Sequence, residues 1–436
     1  MGAQSADRPL DRPTFRAVGP EAPNILVIMT DDQRDGMGVM PKTRRWFGSG
    51  TRFTNAFATT PLCCPSRASI LTGRYVHNHG VTQNEGDSWR NLDPNTTFPV
   101  YLQEAGYRTA LFGKYLNRYS LDLPPPGFDR WAMRGTQQET AYYGGTWSID
   151  GDLRIVYDYS TDFIAQKGAR FIRRTDADTP WMVMLTPAAP HQPFTPEPRY
   201  ARATVGRWRG NPAILEADRT DKPPYVQQVT ASLARNRGVR RAQLRTLMSV
   251  DDLVERVRRT LARTDQGRET LVLFMTDNAF TWGEHGLTGK NVPYLTTARI
   301  PLYVRWPGRV EAGAHDERLA ANIDIAPTIM DAADLDPPTE MDGRSLLDAW
   351  TRDRLLTENL YASGRVPRWA ALITSDRHYI EVYDENGLPT FHEEYDLAAD
   401  PWELENLLWD GVATAPSPEL AAQLAIDLRC AGSTCP

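Results

Sequence analysis

Three short apolar runs, each five or six residues long, constrain the fold of this chain more than any other feature. Runs without polar residues at alternate positions are typical of strands buried on both faces, as in the middle of a parallel sheet. They are Asn24 to Met29, Trp181 to Leu185 and Leu271 to Met275. Helical spacing of apolar residues in Phe98 to Gly106 and in Ala242 to Arg263 predicts helices between these strands. The sequence therefore predicts an α/β fold with a doubly wound, mostly parallel sheet.

Polar residues follow each of the three runs. Asp31 and Asp32 come after the first run, His191 lies shortly after the second, and Asp277 and Asn278 follow the third. In open α/β sheets, ligands bind beyond the carboxyl ends of the strands. We therefore expect these side chains to converge on one site.

The pattern changes near Pro337 and Pro338, which divide the chain into two parts. We predict a catalytic domain over 23–338 and a C-terminal subdomain over 339–436 with a small antiparallel sheet. The short runs that indicate this sheet, with a turn at 384–387 between the last two, are Trp369 to Thr374, Tyr379 to Tyr383 and Phe391 to Asp396. Residues 192–239 are rich in proline and arginine with weak periodicity, which predicts a long surface insertion that could shape a substrate cleft.

The charge and hydropathy of the chain argue against two classes of partner. A net charge of -6 leaves no excess of basic surface, so nucleic acid is not an expected partner. No apolar run approaches the ~20 residues that cross a bilayer, so no membrane span is expected. The 49 basic residues include lysine only at positions 42, 114, 167, 222 and 290. A lysine is therefore unusual in this sequence.

The two ends of the chain indicate different compartments. Residues 1–22 are polar and proline-rich, unlike a signal peptide, so the sequence as given is not expected to direct its own export. Cys430 and Cys435 flank a short Gly/Ser loop, which suits a disulfide and an oxidising compartment; two free thiols on a frayed tail are the alternative. We expect a secreted or extracytoplasmic protein whose signal segment is absent from this chain, with a cytoplasmic protein as the alternative.

The segment from Pro61 to Arg74 carries the strongest chemical signal. Pro65 suits the first turn of a helix and Gly73 suits its end, so Cys63 should lie just before a helix N-terminus, where backbone N–H groups favour an anion. Cys63 could then be a thiolate nucleophile, or with Cys64 a metal ligand. Two buried small apolar side chains on a loop are the structural alternative.

This segment also carries a family resemblance. Cys63-x-Pro65-Ser66-Arg67, followed by Leu71-Thr72-Gly73-Arg74, resembles the signature of the type I sulfatases, which use formylglycine. The resemblance runs from Asn24 to the stretch around Asp400-Pro401, so it covers nearly the whole chain. Several segments are most similar to the N-acetylglucosamine-6-sulfatase branch of the family: His77-Asn-His79, Gly113-Lys-Tyr-Leu-Asn117 and Ser249 to Glu255. It implies an alkaline-phosphatase-like sandwich, in which helices enclose the large sheet.

The resemblance implies a covalent mechanism for the hydrolysis of sulfate esters, such as those of sulfated sugars. A formylglycine-generating enzyme would oxidise Cys63 to an aldehyde, which hydrates to a geminal diol. One hydroxyl attacks sulfur and the alcohol leaves; the other hydroxyl then expels sulfate by regenerating the aldehyde. A plain serine or cysteine cannot release sulfate in this way, because its carbon lacks the second oxygen.

The resemblance also implies a role for each remaining site residue. Asp31, Asp32, Asp277 and Asn278, with the modified Cys63, would bind calcium, since oxygen ligands suit a hard cation. The catalytic set comprises the nucleophile at Cys63, Arg67 on the nucleophile loop, Lys114 and Lys290 on the sulfate, and His191 as the acid for the leaving oxygen. For Asp31 and Asp32 alone, a helix cap is the alternative; for each lysine, a solvated surface charge; for His191, a loop residue bonded to backbone.

One departure from the family pattern leaves the residue that assists sulfate release open. Many sulfatases have a second histidine two or three residues after the first lysine, where this chain has Leu116 and Asn117. His79 or His285 could substitute, although both could equally be structural. Two alternative functions also remain: a phosphoester or phosphonate monoester hydrolase of the same superfamily, and an unmodified protein that binds sulfated glycans.

Overall fold

The computed structural model describes residues 15–19, 21–34, 36–135 and 141–436. The strands are β1 (Asn24–Thr30), β2 (Thr51–Phe57), β3 (Arg108–Gly113), β4 (Arg130–Arg134), β5 (Gly145–Ile149), β6 (Asp152–Val156), β7 (Trp181–Thr186), β8 (Thr270–Thr276), β9 (Thr281–Trp282), β10 (Thr288–Gly289), β11 (Leu302–Arg305), β12 (His315–Ala321), β13 (Arg354–Asn359), β14 (Arg368–Thr374), β15 (Arg377–Tyr383) and β16 (Pro389–Asp396). The α-helices are α1 (Pro41–Phe47), α2 (Cys63–Thr72), α3 (Val76–His79), α4 (Phe98–Glu104), α5 (Ser160–Arg174), α6 (Pro212–Leu215), α7 (Pro224–Gln227), α8 (Leu233–Arg263), α9 (Leu295–Ala298), α10 (Ile325–Ala332) and α11 (Pro418–Asp427).

The large sheet has ten strands in the order β12-β2-β11-β8-β1-β7-β3-β4-β5-β6. The three predicted apolar strands are β8, β1 and β7, and they lie side by side in parallel; Leu26 pairs with Val272 on one side and with Val183 on the other. The run β8-β1-β7-β3-β4 is parallel throughout, whereas β11, β5 and β6 join antiparallel. The prediction of a mostly parallel sheet is confirmed.

Helices cover both faces of this sheet, which explains why its central strands are apolar throughout. On β1, Ile25 and Val27 face a core formed with α2, α4 and α10. Leu26 and Ile28 face a second core formed with α5 and α8. Because successive side chains of a strand point to opposite faces, a strand between two helical layers must be apolar at every position.

The expected surface insertion over 192–239 is partly wrong. Its last residues form the first two turns of α8, which begins at Leu233 rather than near Ala242 and has Ser232 as its N-cap. Arginines at the start of α8 interrupt the helical spacing of apolar residues, on which the predicted start of the helix depends. The insertion is also not wholly at the surface, because Lys222 is fully buried and its Nζ donates to the Leu404 carbonyl at 2.7 Å.

The small C-terminal sheet is antiparallel in the order β13-β14-β15-β16, as predicted for its last three strands. The sequence does not predict strand β13, because charged and polar residues flank its two leucines. One of these polar residues, Glu358, is buried, and its Oε1 lies 3.0 Å from His77 Nδ1.

The C-terminal tail contains the predicted disulfide between Cys430 and Cys435. The division of the chain at 338 stays a prediction. Within the described residues, every helix is too short or too polar to cross a bilayer.

Candidate active site

Helix α2 positions the candidate nucleophile. It begins at Cys63 itself, rather than just after it, with Leu62 as the N-cap in an extended conformation. It ends where predicted, at Gly73, whose φ of 69° is the left-handed conformation that glycine adopts at little cost. Cys63 is fully buried, so its side chain is enclosed by the groups around it rather than by water.

The four predicted metal ligands meet beside Cys63. Asp31 and Asp32 follow β1, Asp277 and Asn278 follow β8, and none of them is more than 2% exposed. The two loops are joined by hydrogen bonds: the Asp32 amide donates to Asp277 Oδ1 at 3.2 Å, and Asn278 Nδ2 donates to Asp32 Oδ1 at 2.7 Å. Parallel neighbouring strands thus bring together residues about 245 positions apart in sequence.

Two of the five lysines reach this acidic cluster. Lys114 Nζ lies 2.7 Å from Asp31 Oδ2, and Lys290 Nζ lies 2.6 Å from both Asp32 Oδ1 and Cys63 Sγ. Burial opposes charge on Lys290, but the carboxylates of Asp32, Asp31 and Asp277 outweigh it and raise its pKa well above the ordinary value. Burial likewise opposes charge on Asp31, yet Lys114 and the neighbouring cations hold its pKa well below the ordinary value. Both groups are therefore charged at neutral pH.

Arg67 connects helix α2 to the loops that follow β1 and β8. The guanidinium is 1% exposed; its Nε donates to Asp277 Oδ2 at 2.7 Å and one terminal nitrogen donates to the Lys114 carbonyl at 2.8 Å. The other terminal nitrogen lies 3.5 Å from Asp31 Oδ2. Nearby, Ser66 Oγ donates to the Asp277 carbonyl. Arg67 and Ser66 of the signature thus contact the acidic cluster from the nucleophile helix.

His191 lies on the solvent side of the cluster. Its Nδ1 is 2.8 Å from the Gln192 carbonyl and can only donate there, which leaves Nε2 facing Asp32 Oδ2 at 3.7 Å. The side chain is 15% exposed, and the Tyr142 hydroxyl holds the His191 carbonyl at 2.6 Å. A histidine held this way presents Nε2 to a group that enters from solvent.

The encoded thiol is a poor nucleophile in these surroundings. Burial, reinforced by the Asp31 carboxylate and opposed by Lys114 and Lys290, raises the pKa of Cys63 well above its ordinary value. The thiol therefore stays protonated at neutral pH, unlike the activated cysteines that react as thiolates. Cys64 points elsewhere, with its sulfur 3.9 Å from the Asn117 carbonyl, so the two cysteines do not form a joint metal site.

The donor set fits a hard divalent cation. Asp31, Asp32, Cys63 and His191 each place a ligand atom within 4.8 Å of the others. The Asn278 Oδ1 atom is buried, and no hydrogen-bond donor reaches it from the described part of the chain. Clustered carboxylates and an unsatisfied amide oxygen are the ligands that calcium prefers. Asp31, Asp32 and Asn278 therefore fit the predicted ion. Asp277 is not in this group, and its carboxylate oxygens accept from Arg67 Nε and from the Asp32 and Asn278 amides.

The structure also brings in a residue that sequence reasoning missed. Arg134, at the end of β4, is buried, and its charge interacts with those of Asp31 and Arg67. Burial, opposed by Asp31, lowers the pKa of Arg134 to about 10, which leaves it charged at neutral pH. Within the described residues its Nε has no hydrogen-bond partner. In a chain so rich in arginine, no sequence signal distinguishes this one.

The two candidate replacements for a second histidine have other partners. His79 Nδ1 accepts from the Val81 amide at 3.1 Å, and burial, with Arg74 and His77, lowers its pKa to about 3. His285 Nδ1 lies 2.9 Å from Glu216 Oε2. Neither histidine belongs to the group of ligand atoms around Cys63 among the described residues.

Two protein-family models match this chain. The sulfatase family model matches residues 23–335, and the model for the C-terminal part of N-sulphoglucosamine sulphohydrolase matches residues 283–428. The chain belongs to the sulfatase family of sulfuric ester hydrolases.

Three similar proteins illustrate how much of the chain is shared. The human N-acetylglucosamine-6-sulfatase is 31% identical over 96% of this chain and 87% of its own length. A Sulf-1 homolog of Caenorhabditis elegans is 36% identical over 74% of this chain, which spans only 48% of that protein. A solved structure of a protein with its substrate, D-glucosamine-2-N,6-O-disulfate, has a TM-score of 0.81 at 24% identity and covers 93% of this chain and 97% of its own. The predicted alkaline-phosphatase-like fold is confirmed.

Proposed function

We propose that this protein hydrolyses sulfate esters of sulfated sugars, with a 6-O-sulfated glucosamine as the favoured substrate, through formylglycine made from Cys63 and a bound calcium ion. The observation that carries the proposal is the position of Cys63: fully buried at the first residue of α2, beside two carboxylates and within 2.6 Å of the Lys290 ammonium. The raised pKa of the thiol argues that the encoded cysteine is a precursor rather than the nucleophile.

When bound, calcium held by Asp31, Asp32, Asp277, Asn278 and the modified Cys63 supplies positive charge to the sulfate and to the diol oxygen. The proposal needs a formylglycine-generating enzyme as a partner. The residues around the calcium and formylglycine position the substrate and offset its negative charge.

Lys114 and Lys290 are placed to stabilise the charge on the transferring sulfuryl group, because both ammonium groups already face the carboxylates that line the site. Arg67 fixes the position of α2 relative to the loop after β8 through its ion pair with Asp277. His191 would protonate the oxygen of the departing alcohol from Nε2. Because Nδ1–H is committed to the Gln192 carbonyl, Nε2 carries a proton only when the ring is an imidazolium, a form that burial opposes and the Asp31 and Asp32 carboxylates favour.

The substrate class rests on the relatives. The human relative is named an N-acetylglucosamine-6-sulfatase, and the solved relative was obtained with a glucosamine carrying a 6-O-sulfate. These observations support a 6-O-sulfated glucosamine over a simple aryl sulfate.

A substrate panel tests this proposal. Fully modified protein should release sulfate from N-acetylglucosamine 6-sulfate with a higher kcat/KM than from the 3-sulfate, from galactose 6-sulfate or from an aryl sulfate. Cys63→Ala is the matched control and should be inactive on all of them. A preference for an aryl phosphate over the matched aryl sulfate, or activity in Cys63→Ala, would overturn the proposal.

We also propose an extracytoplasmic location. The Cys430–Cys435 disulfide suits an oxidising compartment, and the nematode relative is named an extracellular sulfatase. Fractionation of the native host, with the disulfide assayed by thiol labelling, tests this: recovery of reduced protein in the cytosol would contradict it.

A further inference from the structure

A second cleft, with a volume of about 550 Å³, lies away from the catalytic residues. It opens between the C-terminal half of α5 and the strands β3 and β4. Arg108 begins β3 and lines this cleft, whereas Lys114 follows the other end of the same strand and lines the active site. Six residues of a strand span ~20 Å. Arg108 therefore lies at the end of β3 that is opposite the catalytic centre.

The cleft is strongly basic. Five cations line it against two carboxylates: Arg108, Arg130, Lys167, Arg170 and Arg174 against Asp150 and Asp176. Arg130 is paired with Asp150 at 2.6 Å, and Arg108 lies 3.7 Å from Asp129. Of the four cations of α5, the three that line the cleft form no ion pair with any described residue; Lys167 lies over the Phe163 ring, which carries no charge. The cleft thus holds positive charge that the protein itself does not neutralise.

This arrangement is unfavourable for α5 without a ligand. Lys167, Arg170 and Arg174 are spaced by three and four residues, so they lie on one face of the helix, where like charges repel. Burial, together with Arg170 and other arginines and against Asp150, lowers the pKa of Lys167. The helix dipole favours a cation in the last turn, which accounts for Arg174 but not for Lys167 or for the arginines of the strands.

The walls between these charges are apolar. Phe112, Phe171 and Trp131 line the same cleft; Trp131 is half-buried and exposes most of the apolar wall, whereas the two phenylalanines are only 5% and 8% exposed. Aromatic side chains offer flat surfaces against which the apolar faces of a ligand can pack, while the surrounding cations bind its anionic groups. A ring that carries anionic substituents satisfies both kinds of wall, whereas a simple inorganic anion would use only the charges.

We propose that this cleft is a second binding site, which holds a sulfated stretch of an anionic saccharide chain while the end of a chain occupies the catalytic centre. The saccharide nature of the ligand rests on the proposed function; the anion site rests on the cleft itself. Such a site would raise the affinity for long sulfated chains and leave the turnover of a sulfated monosaccharide unchanged, because the cleft is remote from the reacting bond.

The test removes the unpaired charges of α5. The variant Lys167→Gln, Arg170→Gln, Arg174→Gln is compared with a control of equal charge change at exposed positions outside the cleft: Arg45→Gln, Arg309→Gln and Arg365→Gln. Both are made in full-length Cys63→Ala protein, so that bound chains are not cleaved. The probe is a heparin dodecasaccharide, titrated calorimetrically at several salt concentrations. We expect roughly tenfold weaker binding and a shallower salt dependence for the α5 variant only.

In the Cys63-containing enzyme, the α5 variant should keep its kcat/KM for a sulfated monosaccharide and lose it for the long chain. Equal binding of the dodecasaccharide by the α5 and control variants would overturn the second site. Competition by millimolar inorganic sulfate, or equal affinity for single-stranded DNA of similar charge, would overturn its assignment to a saccharide. A wild type inactive on every sulfate ester would instead refute the proposed function, while the binding measurement would still decide the cleft.

Discussion

The replacement of Arg67 by methionine should destabilise the protein far more than the loss of a typical ion pair. Arg67 is 1% exposed and its Nε lies 2.7 Å from Asp277 Oδ2, which is itself fully buried. The substitution fills much of the space but leaves Asp277 without its counter-charge. The surface pair of Arg154 and Asp152 has the same 2.7 Å separation, with both side chains more than 60% exposed, and therefore serves as a matched control.

The expected loss follows from burial rather than distance. Breaking a buried ion pair by removing one partner costs about 3–5 kcal/mol, because the remaining charge stays desolvated. The bond from Arg67 to the Lys114 carbonyl is lost as well, which places the expected value near the upper end of that range. In water-exposed pairs the corresponding loss is under about 1 kcal/mol, so Arg154→Met should change little.

Urea denaturation of apo protein, prepared by chelation, measures the free energy of unfolding of each variant. The double variant Arg67→Met, Asp277→Asn should regain at least half of the loss, because the uncompensated carboxylate is gone, yet it should stay inactive. If Arg67→Met loses no more than Arg154→Met, or if the double variant is as unstable as the single one, the argument from the buried charge is refuted.

Four further predictions concern the site and the tail. Peptide mass spectrometry should find the aldehyde on Cys63; an aldehyde on Cys64 would remove the mechanism. Exhaustive chelation should abolish activity and lower the melting temperature, because the clustered carboxylates then repel one another; full activity in protein free of calcium by elemental analysis would contradict this. His191→Ala should slow alkyl sulfates far more than aryl sulfates, whereas Lys114→Ala should slow both alike; the same leaving-group dependence in both would refute the division of roles. Replacing Cys430 and its partner by serine should cost about 2 kcal/mol in urea denaturation, the loop-closure value for so short a loop; an unchanged midpoint would show that the disulfide does not stabilise the fold.

The sequence by itself determined the parts of the protein that are encoded in contiguous residues. The strands β1, β7 and β8 were predictable because burial on both faces demands apolar residues at every position. The end of α2 at Gly73 and the residues that follow β1 and β8 could also be predicted, because caps and strand ends are local features. Strand β13 and the start of α8 could not, since buried charges and an arginine-rich turn obscure their periods.

Only the tertiary structure decided how distant residues act on one another. That Lys290 contacts both Asp32 and Cys63, and that Arg134 stands near Asp31, depends on loops that meet only after the strands have assembled. The basic cleft depends in the same way on α5 packing across β3 and β4. The physical reason is that charge acts through space: its effect is set by distance and burial in the folded protein, and a pattern along the chain records neither.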